Sequence, residues 1–113
     1  SNKSETMSGY FTKFGDGASD ILPIGNLYKS GVRKLARSLG IPEPIITKAP
    51  TAGLWENQTD EGEMGITYPD LDDILERMEK QRKQVLPAAK VRRVKELMSR
   101  SEHKRRPAHS CGL

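Results

Sequence analysis

Apolar residues fall at helical spacing in three stretches of this chain, and that periodicity limits its fold more than any other feature. Tyr28, Val32, Leu35 and Leu39 recur at i, i+4, i+7 and i+11, which is one face of a helix. Asn26 is placed to cap it, and Gly40 followed by Pro42 stops it. Leu71, Ile74, Leu75 and Met78 form a second stripe, opened by Thr67-x-x-Asp70, a capping-box pattern. Asp70, Asp72 and Asp73 lie in the first turn of that helix, where they suit its dipole. Val91, Val94, Leu97 and Met98 define a third helix, from about Pro87 to Ser101. Between the first two stripes, residues 47–65 show no helical period and carry Pro50, Gly53, Gly62 and Gly65. So long a loop in a short chain is functional or disordered. Residues 1–25 are rich in Gly, Ser and Asp, and Ile21-Leu22-Pro23-Ile24 reads as one short edge strand. The fold expected of these residues is mostly α, with at most one or two short strands.

The 113 residues make one small domain with a thin core, because only 35% are hydrophobic and 30% are charged. So short a chain leaves little room for a complete two-substrate active site. The first expectation is therefore that it is part of something larger. A single cysteine, Cys111, excludes a disulfide framework and a multi-cysteine zinc site. No apolar run approaches membrane-spanning length and no signal peptide is visible, so the default setting is cytoplasmic. The charge is segregated: Thr51 to Glu76 holds eight acids and no Lys or Arg, whereas Arg77 to Arg106 holds twelve Lys or Arg and three acids.

Several short patterns invite a chemical reading beside a plainer one. Lys13-Phe14-Gly15-Asp16-Gly17 sets glycines around an acid, which allows close backbone approach to a ligand, but a turn explains it as well. The stretch Lys48 to Trp55 is apolar and restricted for a loop. It suits closure over a ligand, while the plainer reading anchors Trp55 in the core. Glu56, Asp60, Glu61 and Glu63 lack calcium-loop spacing and read as a solvated loop. His103-Lys104-Arg105-Arg106 reads as a solvated basic tail, or more sharply as an anion site or nucleic-acid patch. Aromatic interleaving is absent there, which argues against single-stranded nucleic acid. Cys111 lies in the tail without an orienting partner, so a catalytic thiol is not expected.

Taken in order, five segments are far more specific than any one of them. They are Ser1 to Glu5, Gly9 to Gly17, Asp20 to Ile24, Lys48 to Trp55, and Ser101 to Arg106. Together they closely resemble the C-terminal portion of the ammonia-dependent type of NAD synthetase, over nearly the whole chain. The resemblance implies an α/β fold in the intact family, adenine-nucleotide alpha-hydrolase-like with a Rossmann-like parallel sheet. It implies that residues 1–113 are the C-terminal part of one such domain. The family's S-G-G-x-D-S loop, which cradles ATP phosphates, has no counterpart here. The implied enzyme is a ligase that uses ATP and Mg2+ to amidate deamido-NAD with ammonia through an acyl-adenylate, releasing AMP and pyrophosphate.

By position, the resemblance assigns Glu5 to the metal, and Lys29 and Thr51 to ATP. It assigns Lys13, Asp20, His103 and Lys104 to deamido-NAD, with Asp20 and Thr51 as the catalytic pair. It also turns the Lys48–Trp55 stretch into a lid and the basic tail into an anion site. Partners implied are deamido-NAD, ATP and ammonia, with a homodimer, no nucleic acid and no membrane. The piece alone is expected to be inactive. Other readings stand beside this one: another ATP pyrophosphatase-type amidating ligase with a different acid substrate, a glutamine-fed version of the same enzyme, and a basic helical nucleic-acid-binding module.

Overall fold

The computed structural model describes residues 1–112, and every element among them is helical. In chain order these are α1 (Lys3–Ser8), α2 (Lys29–Ser38), α3 (Glu43–Thr47), α4 (Asp60–Met64), α5 (Tyr68–Glu79) and α6 (Ala88–Arg100), followed by a 3-10 turn over Glu102–Arg105. The expected stripes form α2, α5 and α6. Helix α5 is the hub, touching α1, α2 and α6. Its Tyr68, Leu71, Ile74 and Leu75 pack with Met64, Ile66 and Val94 into the buried apolar cluster found among the described residues. Thr67 caps α5 by accepting from the Asp70 amide at 3.3 Å, but the Asp70 carboxylate pairs with Lys90 instead of closing the box.

The expected strand at Ile21–Ile24 is not formed: the segment turns at Pro23 to Asn26, with Ile21 exposed. No strand occurs among the described residues, so nothing there could pair with it. Asn26 does not cap α2 either; the helix begins after Tyr28 with no cap from its own sequence. Its first amides are satisfied from elsewhere. Lys29 N–H donates to Ser4 Oγ at 2.9 Å and Ser30 N–H to Asp72 Oδ2 at 3.0 Å, while Ser4 Oγ–H donates to Asp72 Oδ1 at 2.5 Å. A serine of α1 and an aspartate of α5 thus cap α2 in trans.

Helix α2 buries no residue fully, and its apolar side continues into an exposed surface with Leu39 at 69% and Ile45 of α3 at 66%. The region read as one long loop is shorter than expected. Helix α3 enters it from one side and α4 from the other, leaving residues 48–59 irregular.

Candidate functional site

Local chemistry fixes the site's first wall. Asn2 and Glu5 form a reciprocal capping box on α1: Asn2 Oδ1 accepts from the Glu5 amide and Glu5 Oε2 from the Asn2 amide, each at 3.0 Å. This leaves Glu5 Oε1 free to face Lys29 Nζ at 3.9 Å. Helix α1 ends at Gly9, whose φ of 77° is left-handed, and the chain then turns sharply into Tyr10 and Phe11.

The basic segment after α6 folds back onto that turn. Lys104 Nζ donates to the carbonyls of Gly9 and Phe11, both at 2.9 Å. The Arg105 guanidinium donates to the Thr6 and Met7 carbonyls at 3.2 Å and to Met98 O at 2.6 Å. These carbonyls lie at or just beyond the C-terminal ends of α1 and α6, where cations are favoured. Desolvation lowers the Arg105 pKa from its usual value. The solvated tail expected from the sequence is therefore, at Lys104 and Arg105, a clasp on α1.

Two cavities meet at Thr51. The first, of about 510 Å³, is bordered by Glu5, Tyr10, Thr51, Asp60, Glu63 and Lys104. Residues of the supposed solvated acid loop build this wall. Asp60 is 6% exposed and accepts from the Tyr68 hydroxyl at 2.7 Å. Glu61 accepts from the Tyr68 amide at 2.9 Å. Glu63 accepts from the Tyr10 hydroxyl and from Gln58 Nε2, and these hydrogen bonds hold its carboxyl below the usual range. Burial, followed by the Glu63 contact, pushes the Tyr10 phenol well above its ordinary value.

The second cavity, of about 350 Å³, carries Lys29, Arg33 and Lys48 beside apolar Val32, Ile41 and Ile45, with no acid in its wall. The first holds four acids and one lysine. A cationic chamber and an acidic chamber thus share one threonine.

The residues singled out from the sequence distribute unevenly. Glu5, Thr51 and Lys104 border the first cavity, and Lys29 and Thr51 the second. Lys13 and His103 sit together outside both, Lys13 Nζ donating to His103 O at 2.8 Å. Asp20 is exposed and borders neither cavity. Lys13 to Gly17 forms the turn that its glycines suggested, closed by Asp16 Oδ1 accepting from the Thr12 amide at 2.6 Å. Trp55 is 55% exposed, which corrects the core-anchored reading: the loop carries it outward.

Ser4, Asp72, Tyr10 and Tyr68 escaped sequence reasoning. Helix α1 was also missed, although Asn2-x-x-Glu5 is a local capping signal that could have found it; the Ser4–Asp72 link across the chain had no local signal. For Mg2+ the donor set is too small. This ion wants near-octahedral oxygens. Among the described residues no three His, Cys, Asp or Glu side chains are grouped to hold a metal. Glu5 alone would have to serve, with one oxygen already engaged by its cap.

Comparison with known proteins completes the picture. A sequence model of the family described as NAD synthase matches residues 1–108. The NH(3)-dependent NAD(+) synthetase of Pyrococcus horikoshii is 54% identical over 94% of this chain and 44% of its own length. That of Archaeoglobus fulgidus is 56% identical over 92% of this chain and 41% of its own. Among solved structures, the NMN synthetase from Francisella tularensis superposes with a TM-score of 0.87 and 46% identity, covering 100% of this chain and 45% of that one. The chain thus spans less than half the length of these relatives.

Proposed function

The chain belongs to the NAD synthase family, and from that premise we propose that it is the C-terminal part of a ligase that converts deamido-NAD to NAD with ATP and ammonia. The supporting observation is that Glu5, Thr51 and Lys104, from three distant stretches, border one cavity, while Lys29 reaches Glu5 from its neighbour. The triphosphate of ATP suits the second cavity, because Lys29, Arg33 and Lys48 offset its charge with no acid opposing them. Thr51 lies where the two substrates meet. Lys13 and His103, one hydrogen bond apart, form the outer contact for deamido-NAD together with the exposed Asp20.

A carboxylate resists amine attack, so it must first gain a leaving group. In the reading proposed here, a nicotinate carboxylate oxygen attacks the α-phosphorus of ATP, the bond to the bridging oxygen breaks, and pyrophosphate departs. Ammonia nitrogen then attacks the acyl carbon, the C–O bond to AMP breaks, and a proton leaves as the amide forms. Residues 51–59, carrying Trp55 outward, close over the adenylate and keep water from it. No step is assigned to Mg2+ from this chain's residues. The rest of the domain, with the parallel sheet, covers the exposed apolar side of α2 and α3, and the complete enzyme is a cytoplasmic homodimer.

One observation favours a second substrate. The solved structure covering all of this chain is of an NMN synthetase, so nicotinate mononucleotide is the competing acid. The test supplies ATP and ammonium to a complete enzyme containing these residues, with each acid in turn. Stoichiometric AMP and NAD from deamido-NAD are expected, together with a sharp loss of turnover in Thr51→Ala and Asp20→Ala. Faster AMP release with the mononucleotide would transfer the assignment to NMN synthesis, and none with either acid would remove it.

A further inference from the structure

Tyr68 borders neither chamber itself but contacts one wall residue of each, Asp60 of the first and Lys29 of the second. It is the first residue of α5 and fully buried at 0% exposure. On one side its hydroxyl donates to Asp60 Oδ2 at 2.7 Å. Asp60 closes the neck of the 51–59 loop, its amide donating to Pro50 O at 2.9 Å. On the other side, the Tyr68 ring lies 5.3 Å from Lys29 Nζ, within cation–π range. That same Lys29 faces Glu5.

Asp60 is poorly supplied without Tyr68. Its Oδ1 is buried with no hydrogen-bond partner. A buried carboxylate in this condition is costly, and losing its remaining donor leaves both oxygens bare. Such a buried, unpartnered group calls for an explanation, and a functional constraint is one. Resting on the family reading above, we infer that Tyr68 is a positioning residue: its hydroxyl fixes the hinge of the 51–59 loop through Asp60, and its ring seats Lys29. The phenol acts only as a donor. Burial first, then the Asp60 hydrogen bond, holds it protonated far above its ordinary pKa.

Two measurements test this. The first needs no catalysis. Tyr68→Phe keeps the ring and removes the hydroxyl, so in the chain itself the Asp60 amide should exchange at least tenfold faster, with the Val94 amide in α6 within twofold of the parent. Equal acceleration at both amides, or none at Asp60, overturns the inference. The second uses a complete enzyme. Tyr68→Phe should lower kcat at least tenfold with the KM for ATP within twofold, because the ring still seats Lys29; Tyr68→Leu should raise that KM as well. Tyr68→Phe combined with Asp60→Asn should be no worse than the worse single variant. Losses that multiply, or a Tyr68→Phe turnover within twofold of the parent, refute coupling through Asp60. A parent enzyme that amidates neither acid refutes the family function instead, and leaves the exchange result to decide the hinge.

Discussion

Replacing Gly9 with Ala should damage the protein through two separable causes. Gly9 ends α1 at φ 77°, and its Cα hydrogen points at α6. Placing an L-residue in the left-handed region costs about 1–2 kcal/mol. The new methyl would also overlap the Cβ and Oγ of Ser101, the residue capping α6. Ser101 cannot easily yield: it is 6% exposed, and its hydroxyl donates to Leu97 O at 2.7 Å and accepts from Arg105 at 2.8 Å. Overpacking of this kind costs about 1–3 kcal/mol more. The sum, about 2–5 kcal/mol, is a large share of the roughly 5–15 kcal/mol that holds a domain together. It corresponds to a fall in Tm of the order of 10 °C. Urea unfolding followed by far-ultraviolet circular dichroism would measure it, with an unchanged m-value showing that only stability moved. Ser101→Gly separates the causes, because removing that side chain leaves only the Ser101 backbone, at ordinary contact distance. In that background Gly9→Ala should cost only the conformational part, about 1–2 kcal/mol. A loss below about 0.5 kcal/mol, or an equal loss with and without the Ser101 side chain, would refute the close approach of α1 to α6.

Other expectations follow from the same packing. Asp72→Ala strips the acceptor from the Ser4 hydroxyl and the Ser30 amide; about 2–4 kcal/mol should be lost, with the α2 amides exchanging faster, and unchanged exchange there would refute capping in trans. Arg105→Lys loses the fork that reaches Thr6, Met7 and Met98; a fall of about 1–3 kcal/mol is expected, and full stability would show the clasp to be ornamental. The three tyrosines, Tyr10, Tyr28 and Tyr68, all have pKa values raised first by burial and then by an acceptor carboxylate. A raised folded pKa means this stability is whole below the unfolded value near 10 and declines as pH rises beyond it. Absorbance titration should show phenolate appearing only as the chain unfolds, and reversible ionisation of the folded protein near pH 10 would contradict that. Trp55, half exposed, should be quenched readily by acrylamide; strong protection would contradict an outward loop.

The helical stripes around Leu71 and Val94 were legible because an amphipathic period is a local property with one burial solution. The α2 stripe was legible as a helix but not as a buried one, since its apolar residues Leu35 and Leu39 remain largely uncovered. Ile21–Ile24 misled because a short apolar run becomes a strand only beside a partner, and none is present among the described residues. In the acid run, Glu56 and Glu63 are exposed as expected, and the solvated reading misled at Asp60 for the converse reason. Charge alone implies solvent, whereas Tyr10, Gln58 and Tyr68 supply the donors that let Asp60 sit buried and hold Glu63 in place.

By itself, the sequence determined the three amphipathic helices α2, α5 and α6, the Thr67 cap of α5, the segregation of charge along the chain, and which family the ordered segments resemble. These rest on neighbours a few residues apart or on patterns read in order. Tertiary structure alone decided that Ser4 and Asp72 start α2, that Lys104 and Arg105 clasp α1, and that Thr51 divides a cationic chamber from an acidic one. Each joins groups dozens of residues apart. Such hydrogen bonds leave no periodic trace in the chain, because their partners become neighbours only after the α5 core has brought the helices together.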